Sequence, residues 1–210
     1  KEDETHAVIA GWVARRWDSA VQERFHRLLA ALGREFDGKI EGINLAETAV
    51  DFGESGRLFP SGFTPKGYQG AIIAQMKVLK GAFTRSVVMQ YANFMPGEWL
   101  PYDDKSYLKS VYQQAAHFGV GVGVPDLLPY RKAQMNHSYP LLQMISEKVP
   151  TGVAVQDGNC EEINVKTGKR FTIAELLRFA KEYLRVKYVF WGMQEPYYSK
   201  HLIPFLNPKE

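Results

Sequence analysis

Two acidic side chains in the sequence stand where paired carboxylates could perform acid–base chemistry. Glu47 lies near the end of the apolar run Ile40–Thr48, and Asp157 ends the run Val153–Asp157. Two carboxylates facing each other across a cleft are suited to glycoside hydrolysis, in which one protonates the leaving oxygen and the other attacks the anomeric carbon or activates water. We therefore predict Glu47 as a general acid and Asp157 as the nucleophile or base.

Both carboxylates also have a structural interpretation. Glu47 could cap a helix or anchor a loop, and the pair Asp157 and Gly158 is a common turn dipeptide. A carboxylate at the carboxyl end of a strand is nevertheless typical of active sites in barrel enzymes. The separation of the two groups would distinguish a retaining from an inverting mechanism.

Further polar and aromatic side chains near the ends of apolar runs are predicted to contact substrate. Amides and carboxylates can bond to sugar hydroxyls, and flat side chains can stack on the apolar faces of sugar rings. Trp191 is the predicted stacking platform. The predicted substrate-binding residues are Asn44, Tyr91, Asn93, Asp126, Gln156, Asn159, Trp191 and Glu195.

The sequence lacks the motifs of metal sites, serine nucleophiles and nucleotide-binding loops. No HExxH motif occurs and Cys160 is the only cysteine, so no metal site is predicted. Neither a GxSxG elbow, nor a Walker A sequence, nor GxGxxG before a helix is present, and no cofactor is predicted. His137 is predicted to be a solvated loop residue.

The elements that must position these side chains follow a repeated pattern. Short apolar runs, each followed by a helix-like segment, are typical of parallel strands buried on both faces and connected by crossover helices. The chain is long enough for one substantial core, so residues 1–210 are predicted to form a single α/β domain. The five runs are Ile40–Thr48, Val87–Asn93, Val120–Asp126, Val153–Asp157 and Tyr188–Glu195.

The number of units indicates part of a larger barrel. A complete TIM-type (β/α)8 barrel typically takes about 250 residues, and five β/α units are clear here. We expect the first strands to lie upstream, in an N-terminal segment that completes the barrel. Its active site would then lie at the carboxyl ends of the strands.

Local signals predict how several elements begin and end. Asp18 is expected to cap the first helix and Gly33 to end it. Asp103 or Asp104 is expected to cap the helix that ends at Gly119. Thr172 and Glu175 form a capping-box pattern, and the glycines of Val120–Asp126 are expected to allow close packing of helices on the sheet.

Composition limits the partners. The net charge of +3 arises from 26 basic and 23 acidic residues without a basic block, which does not support a nucleic-acid partner. No apolar stretch reaches the roughly 18–20 residues that span a membrane, so no membrane association is predicted.

Three segments together resemble a known family. These are Ile-Glu-Gly-Ile-Asn-Leu-Ala-Glu-Thr at 40–48, Val-Gln-Asp-Gly at 155–158 and Val-Phe-Trp-Gly at 189–192. They resemble the second half of a (β/α)8 glycosidase-like barrel, similar to clan A glycoside hydrolases, over residues 36–206. The resemblance implies an O-glycosyl hydrolase with a carbohydrate substrate, Glu47 as acid/base and Trp191 as sugar platform. It also favours a secreted or periplasmic location.

The chain departs from the family pattern at two points. Gln156 and Asp157 stand where the nucleophile Glu is expected, and Glu47 follows Ala46 rather than Asn. Three interpretations stay open: Asp157 replaces the nucleophile, Glu195 serves instead, or the barrel binds carbohydrate without cleaving it.

Overall fold

The computed structural model describes residues 12–50, 52, 59–156 and 158–207. The strands are β1 (Gly42–Leu45), β2 (Val87–Tyr91), β3 (Gly121–Val124), β4 (Thr151–Val155), β5 (Ile163–Asn164), β6 (Lys169–Arg170) and β7 (Tyr188–Trp191). The α-helices are α1 (Ser19–Phe36), α2 (Pro65–Ala82), α3 (Tyr107–Phe118), α4 (Lys132–Asn136), α5 (Ser138–Ile145), α6 (Ile173–Arg178) and α7 (Ile203–Leu206). A 3-10 turn spans Asn159–Glu161, and π-helical turns span Phe179–Tyr183 and Tyr198–Leu202.

Five strands form one parallel sheet in the order β1-β2-β3-β4-β7. Four of these strands fall within predicted apolar runs, and β4 overlaps the run Val153–Asp157 but begins two residues earlier, at Thr151. Helices alternate with the strands, so the predicted β/α pattern is confirmed. The sheet is curled into a half-barrel. A full eight-stranded barrel is not formed by the part of the chain that the structure describes.

A side-chain contact spans the open side of the curled sheet. Tyr188 on β7 donates its hydroxyl hydrogen to Oε1 of Glu41, just before β1, at 2.8 Å. Because β1 and β7 are the outermost strands of the sheet, this bond connects its two edges across the concave face. The sheet is therefore strongly curved.

The convex face of the sheet carries the hydrophobic core. Val88, Val122 and Val153 are buried there together with leucines of the surrounding helices, including Leu79 and Leu108. Full burial of such a side chain contributes about 1.5–3 kcal/mol to folding. Successive side chains of a strand point to opposite faces of the sheet, so the positions of these valines determine which face of each strand packs against the helices.

The glycines of β3 lie on the concave face, which corrects the prediction that they allow helix packing. A Cβ at Gly123 would lie 2.5 Å from the ring of Tyr91, and a Cβ at Gly152 of β4 would lie 2.8 Å from the ring of Phe190. The same two positions would bring a Cβ within 3.0 Å of the Met89 sulfur. These glycines therefore make room for Met89, Tyr91 and Phe190, which fill the concave face.

The first helix begins as predicted and ends differently. Asp18 Oδ1 accepts hydrogen bonds from Ala20 N at 2.9 Å and Val21 N at 3.1 Å, which confirms the cap. Gly33 lies inside α1, where a Cβ would lie 2.2 Å from the backbone oxygen of Ala82. The prediction that Gly33 ends the helix is wrong, because this glycine allows α1 and α2 to approach closely.

The start of α3 uses a residue that the sequence prediction missed. Neither Asp103 nor Asp104 is its N-cap; that position is Ser106, whose side chain makes no cap hydrogen bond. The buried Glu98 carboxylate instead accepts from Leu108 N at 2.6 Å and Tyr107 N at 2.9 Å. A carboxylate at a helix N-terminus satisfies N–H groups that lack a partner in the helix.

Two further predictions for helix ends are confirmed. Gly119 directly follows α3 and stops it as predicted, with φ of 72°. The capping box of Thr172 and Glu175 is present at the start of α6.

A small antiparallel hairpin of β5 and β6 was not predicted. Its strands have only two residues each, so they carry too few positions for an alternating apolar pattern. Gly168, with φ of 67°, lies in the connecting turn. The hairpin extends from the region after β4 and places Lys166 near the loop that follows β3.

Candidate functional site

The predicted site residues that the structure describes lie at or near one edge of the parallel sheet. Because the five strands run in the same direction, their carboxyl ends share this edge. Glu47, Asn93 and Asp126 each lie two residues beyond the end of a strand, β1, β2 and β3 respectively. Gln156 directly follows β4, and Glu195 lies in the segment after β7. We call this the carboxyl edge.

Glu47 and Asn93 are in direct contact at the carboxyl edge. Asn93 Nδ2 donates a hydrogen bond to Glu47 Oε2 at 2.5 Å. The Asn93 side chain is almost fully buried, and its Oδ1 accepts from Ala49 N at 3.3 Å. Asn93 therefore connects the segments after β1 and β2 and holds the half-buried Glu47 carboxylate in one orientation.

Arg16 and Tyr68 complete the surroundings of Glu47, and sequence reasoning did not identify either. Arg16 Nη1 donates to the backbone oxygen of Glu47 at 2.6 Å, and its guanidinium lies 5.2 Å from the centre of the Tyr68 ring. The Tyr68 hydroxyl donates to Thr48 O at 3.0 Å. Burial raises the pKa of Tyr68 to about 12, which the charge of Arg16 opposes. Arg16 precedes α1 and Tyr68 lies in α2, so no sequence spacing relates them to Glu47.

Asn44 and Tyr91 meet on the concave face. Asn44 Nδ2 donates to the Tyr91 hydroxyl oxygen at 3.3 Å, and β1 and β2 are adjacent strands. Burial raises the pKa of Tyr91 to about 12, while the hydrogen bond from Asn44 acts in the opposite direction. The Tyr91 phenol therefore stays protonated at neutral pH and presents a polar tip beside the Asn44 amide.

Asp126, Gln156 and Asn159 form a second polar cluster, between the ends of β3 and β4. Asp126 Oδ1 accepts from Asn159 Nδ2 at 3.1 Å and from Gln156 Nε2 at 3.4 Å. Asn159 Oδ1 accepts from the backbone N–H groups of Leu127 and Gln156, both at 3.1 Å. The buried Asn159 thus fixes the two loops relative to each other.

The predicted nucleophile, Asp157, lies outside the described residues. The neighbouring Gly158 has φ of 83°, a left-handed conformation that favours glycine. This backbone conformation explains why a glycine follows Asp157 in the sequence.

Two predicted substrate-contacting residues, Trp191 and Glu195, lie at the end of β7 and in the segment that follows it. Trp191, the last residue of β7, is half-buried and packs against the core. Glu195 accepts hydrogen bonds from the hydroxyl of Ser199 and from Ser199 N, the latter at 3.4 Å. That geometry holds the turn preceding Tyr198–Leu202, so Glu195 has a local structural role.

His137 is buried, so its prediction as a solvated loop residue is wrong. Its ring lies 4.8 Å from that of Phe94 and 4.5 Å from that of Trp99. Nε2 accepts from Leu100 N at 2.9 Å, and Nδ1 lies 2.8 Å from Ala133 O. Burial lowers the pKa of His137, which indicates a neutral ring that connects the loop containing Leu100 to helix α4.

A search for groups of His, Cys, Asp and Glu that could hold a metal ion found none within the described ranges. None of the helices described is long and apolar enough to cross a membrane. No protein-family model matches the chain, and no curated protein is significantly similar to it.

Proposed function

We propose that this protein is an O-glycosyl hydrolase that acts on a carbohydrate at the carboxyl edge of the half-barrel. The observation that carries the proposal is the half-buried Glu47 carboxylate, which Asn93 holds at 2.5 Å beyond the end of β1. A carboxylate fixed at this edge of a parallel α/β sheet is in the position from which barrel enzymes perform catalysis.

In this proposal Glu47 protonates the leaving oxygen of the glycosidic bond. Asp157 attacks the anomeric carbon or activates a water molecule. Asn93 and Arg16 act as positioning residues, because one fixes the carboxylate and the other holds the backbone oxygen of Glu47.

Sugar recognition is assigned to the remaining side chains of the carboxyl edge. Trp191 would provide an apolar surface for a sugar ring. Hydrogen bonds to sugar hydroxyls would come from Asn44, Tyr91, Asn93, Asp126, Gln156, Asn159 and Glu195.

A noncatalytic carbohydrate-binding barrel is the second candidate. It is favoured by the hydrogen bonds that already engage the carboxylates described at this edge: Glu47 with Asn93, Asp126 with Asn159, and Glu195 with Ser199. Carboxylates with such partners can orient loops and bind hydroxyls without performing chemistry.

The two candidates are separated by activity and binding measurements on the same panel of glycans. Reducing-sugar release is measured for the parent protein and for Glu47→Gln, Asp157→Asn and Glu147→Gln. Loss of a general acid or its partner typically lowers the rate about 10²–10⁴-fold, so the first two variants should lose activity. Glu147 is exposed and lies between α5 and β4, at the opposite edge, so its variant should retain activity.

Each outcome has a defined meaning. Turnover that Glu47→Gln and Asp157→Asn abolish supports the hydrolase. Glycan binding without turnover, lost in Trp191→Ala, supports the binding barrel. Turnover that persists in Glu47→Gln contradicts the assigned acid, and neither binding nor turnover by the parent protein on a broad panel contradicts both candidates.

We also propose that a preceding N-terminal segment supplies further strands and completes the barrel. In the described sheet, β1 pairs only with β2 and β7 only with β4, so each has one unpaired edge. Unpaired edges of this kind are sites where further strands can add. Intact-mass measurement and amino-terminal sequencing of the native protein test this, and a native protein of 210 residues would contradict it.

A further inference from the structure

A small pocket is lined by aromatic rings, and none of its lining residues is one of the predicted site residues. Its volume is about 200 Å³, and it lies between the loop after β3 and the segment that runs from β5 through α6 to the following π-helical turn. Pockets for drug-sized ligands occupy about 300–1,000 Å³, so this one suits a small ligand.

Four rings form the apolar part of the pocket: Tyr130, Phe171, Phe179 and Tyr183. The rings of Tyr130 and Phe179 meet edge to face with centroids 5.3 Å apart, and those of Phe179 and Tyr183 stack at 4.7 Å. Both phenylalanines are almost fully buried, whereas Tyr130 is 42% exposed. The phenylalanines therefore form the floor and Tyr130 forms an accessible wall.

Tyr130 has an unusual backbone conformation. Its φ is 64°, in the left-handed region that is costly for a large side chain. Such strain persists only where the surrounding structure imposes it, and it is concentrated at binding and active sites. The backbone thus holds the Tyr130 ring toward the pocket at some cost in free energy.

The charged lining of the pocket favours a cation. Glu175 and Glu182 contribute two carboxylates, and Arg178 contributes one guanidinium. Asn164 Nδ2 donates to Glu175 Oε1 at 3.2 Å, which fixes one carboxylate at the wall. These lining side chains carry a net charge of minus one, so one additional cation would balance them.

The chain itself places an ammonium group against the ring of Tyr130. Lys166 Nζ lies 4.7 Å from the centre of the Tyr130 ring, within the range of a cation–π interaction. Lys166 belongs to the turn of the β5–β6 hairpin, and its backbone N–H donates to Asn164 Oδ1 at 3.0 Å. The ring face therefore already contacts an ammonium, carried on a flexible and exposed side chain.

We propose that this pocket binds a small organic cation with a substituted ammonium group, which competes with Lys166 for contact with the Tyr130 ring. The rings provide cation–π contact, and Glu175 and Glu182 provide the opposite charge. Displacement of Lys166 needs no change in the backbone, because only its side chain has to turn toward solvent.

Binding is tested with choline and with 3,3-dimethylbutan-1-ol, which has the same shape without the charge. Each is titrated into ¹⁵N-labelled protein while the amide signals of Tyr130 and Lys166 are followed. Choline should bind more tightly than the alcohol. Lys166→Ala should strengthen choline binding by about 2- to 30-fold, the range expected for one cation–π contact.

Two variants at one position isolate the contribution of the ring. Tyr130→Phe keeps the ring and should bind choline within about twofold of the parent protein. Tyr130→Asn removes the ring with a residue that tolerates positive φ, and should weaken choline binding by about 2- to 30-fold. Glu182→Gln should weaken choline binding and leave alcohol binding unchanged.

Three results would overturn the proposal: equal binding of choline and the alcohol, no gain of choline affinity in Lys166→Ala, or no shift of the pocket amides in that variant. The comparison in Lys166→Ala decides the matter even if Tyr130→Asn does not fold, because Lys166 is exposed and its replacement leaves the rings in place.

Discussion

At the scale of single residues, buried polar side chains connect the loops of this protein. His137 connects the loop containing Leu100 to Ala133, Asn159 joins the ends of β3 and β4, and Asn93 holds Glu47. Buried polar groups are costly unless they are hydrogen-bonded, so replacing one partner leaves the others unsatisfied. Substitution of these side chains should therefore lower the free energy of unfolding, and for His137 it should also change how that free energy depends on pH.

His137 should make the protein less stable in mild acid. Burial lowers its pKa in the folded state, so the unfolded chain binds the proton more readily. The contribution of the neutral ring is complete above the unfolded pKa of about 6.5 and is lost as the pH falls through the folded value. Denaturant unfolding between pH 8 and pH 5 should show this slope, and His137→Gln should reduce it.

His117→Gln is the matched control, because His117 is exposed near the end of α3. This variant should keep the slope of the parent protein. An NMR titration that gives His137 an ordinary or raised pKa in the folded protein would contradict the prediction.

At the scale of elements, two features set how helices and strands meet: the Glu98 carboxylate at the start of α3, and the glycines of β3 and β4 beneath aromatic rings. Neither follows from local sequence patterns. Glu98 is nine residues before Tyr107, and the glycines depend on rings that come from β2 and β7.

Glu98→Gln should destabilise the protein by about 1–3 kcal/mol, because an amide cannot accept from the N–H groups of Lys105, Tyr107 and Leu108 as the carboxylate does. Thermal and urea unfolding measure the change. Asp104→Asn is the control, since Asp104 is exposed and accepts locally from Ser106. Equal losses in the two variants would contradict a special role for Glu98.

Gly123→Ala should destabilise the protein by about 1–3 kcal/mol through overpacking against Tyr91 and Met89. Gly70→Ala should instead stabilise the protein, because a Cβ at this position in α2 meets nothing within 4 Å. Removing a glycine from a helix interior should stabilise by up to about 1 kcal/mol. Urea unfolding of both variants is the measurement, and a neutral Gly123→Ala would show that the concave face is loosely packed.

At the scale of the whole molecule, the sequence predicted the sheet well and its side-chain partners poorly. Continuous apolar runs identified the five parallel strands of the described sheet, because the signal for each strand lies in its own consecutive residues. Three features depend instead on residues that are distant in sequence. They are the side of the sheet on which Gly123 lies, the capping of α3 by Glu98 and the burial of His137. Arg16 and Tyr68 were missed beside Glu47 for the same reason.

The curvature of the sheet can be measured in solution through Tyr188. Its hydrogen bond to Glu41 raises the pKa of the phenol, because the carboxylate stabilises the protonated form. Glu41→Gln should therefore lower the pKa of Tyr188 toward its ordinary value of about 10, as followed by ¹³C NMR of the ring carbon bonded to oxygen. An unchanged value would indicate that the two edges of the sheet do not meet across the concave face.

The rings above Gly123 and Gly152 also limit how deeply any ligand could enter. The side chains of Met89, Tyr91 and Phe190 cover these two glycines on the concave face of the described sheet. Under the proposed function, a saccharide would therefore rest on these rings rather than reach the backbone of the two glycines beneath them. Selectivity would then depend on the loops beyond the strands, whose sequences can change without disturbing the packed interior below.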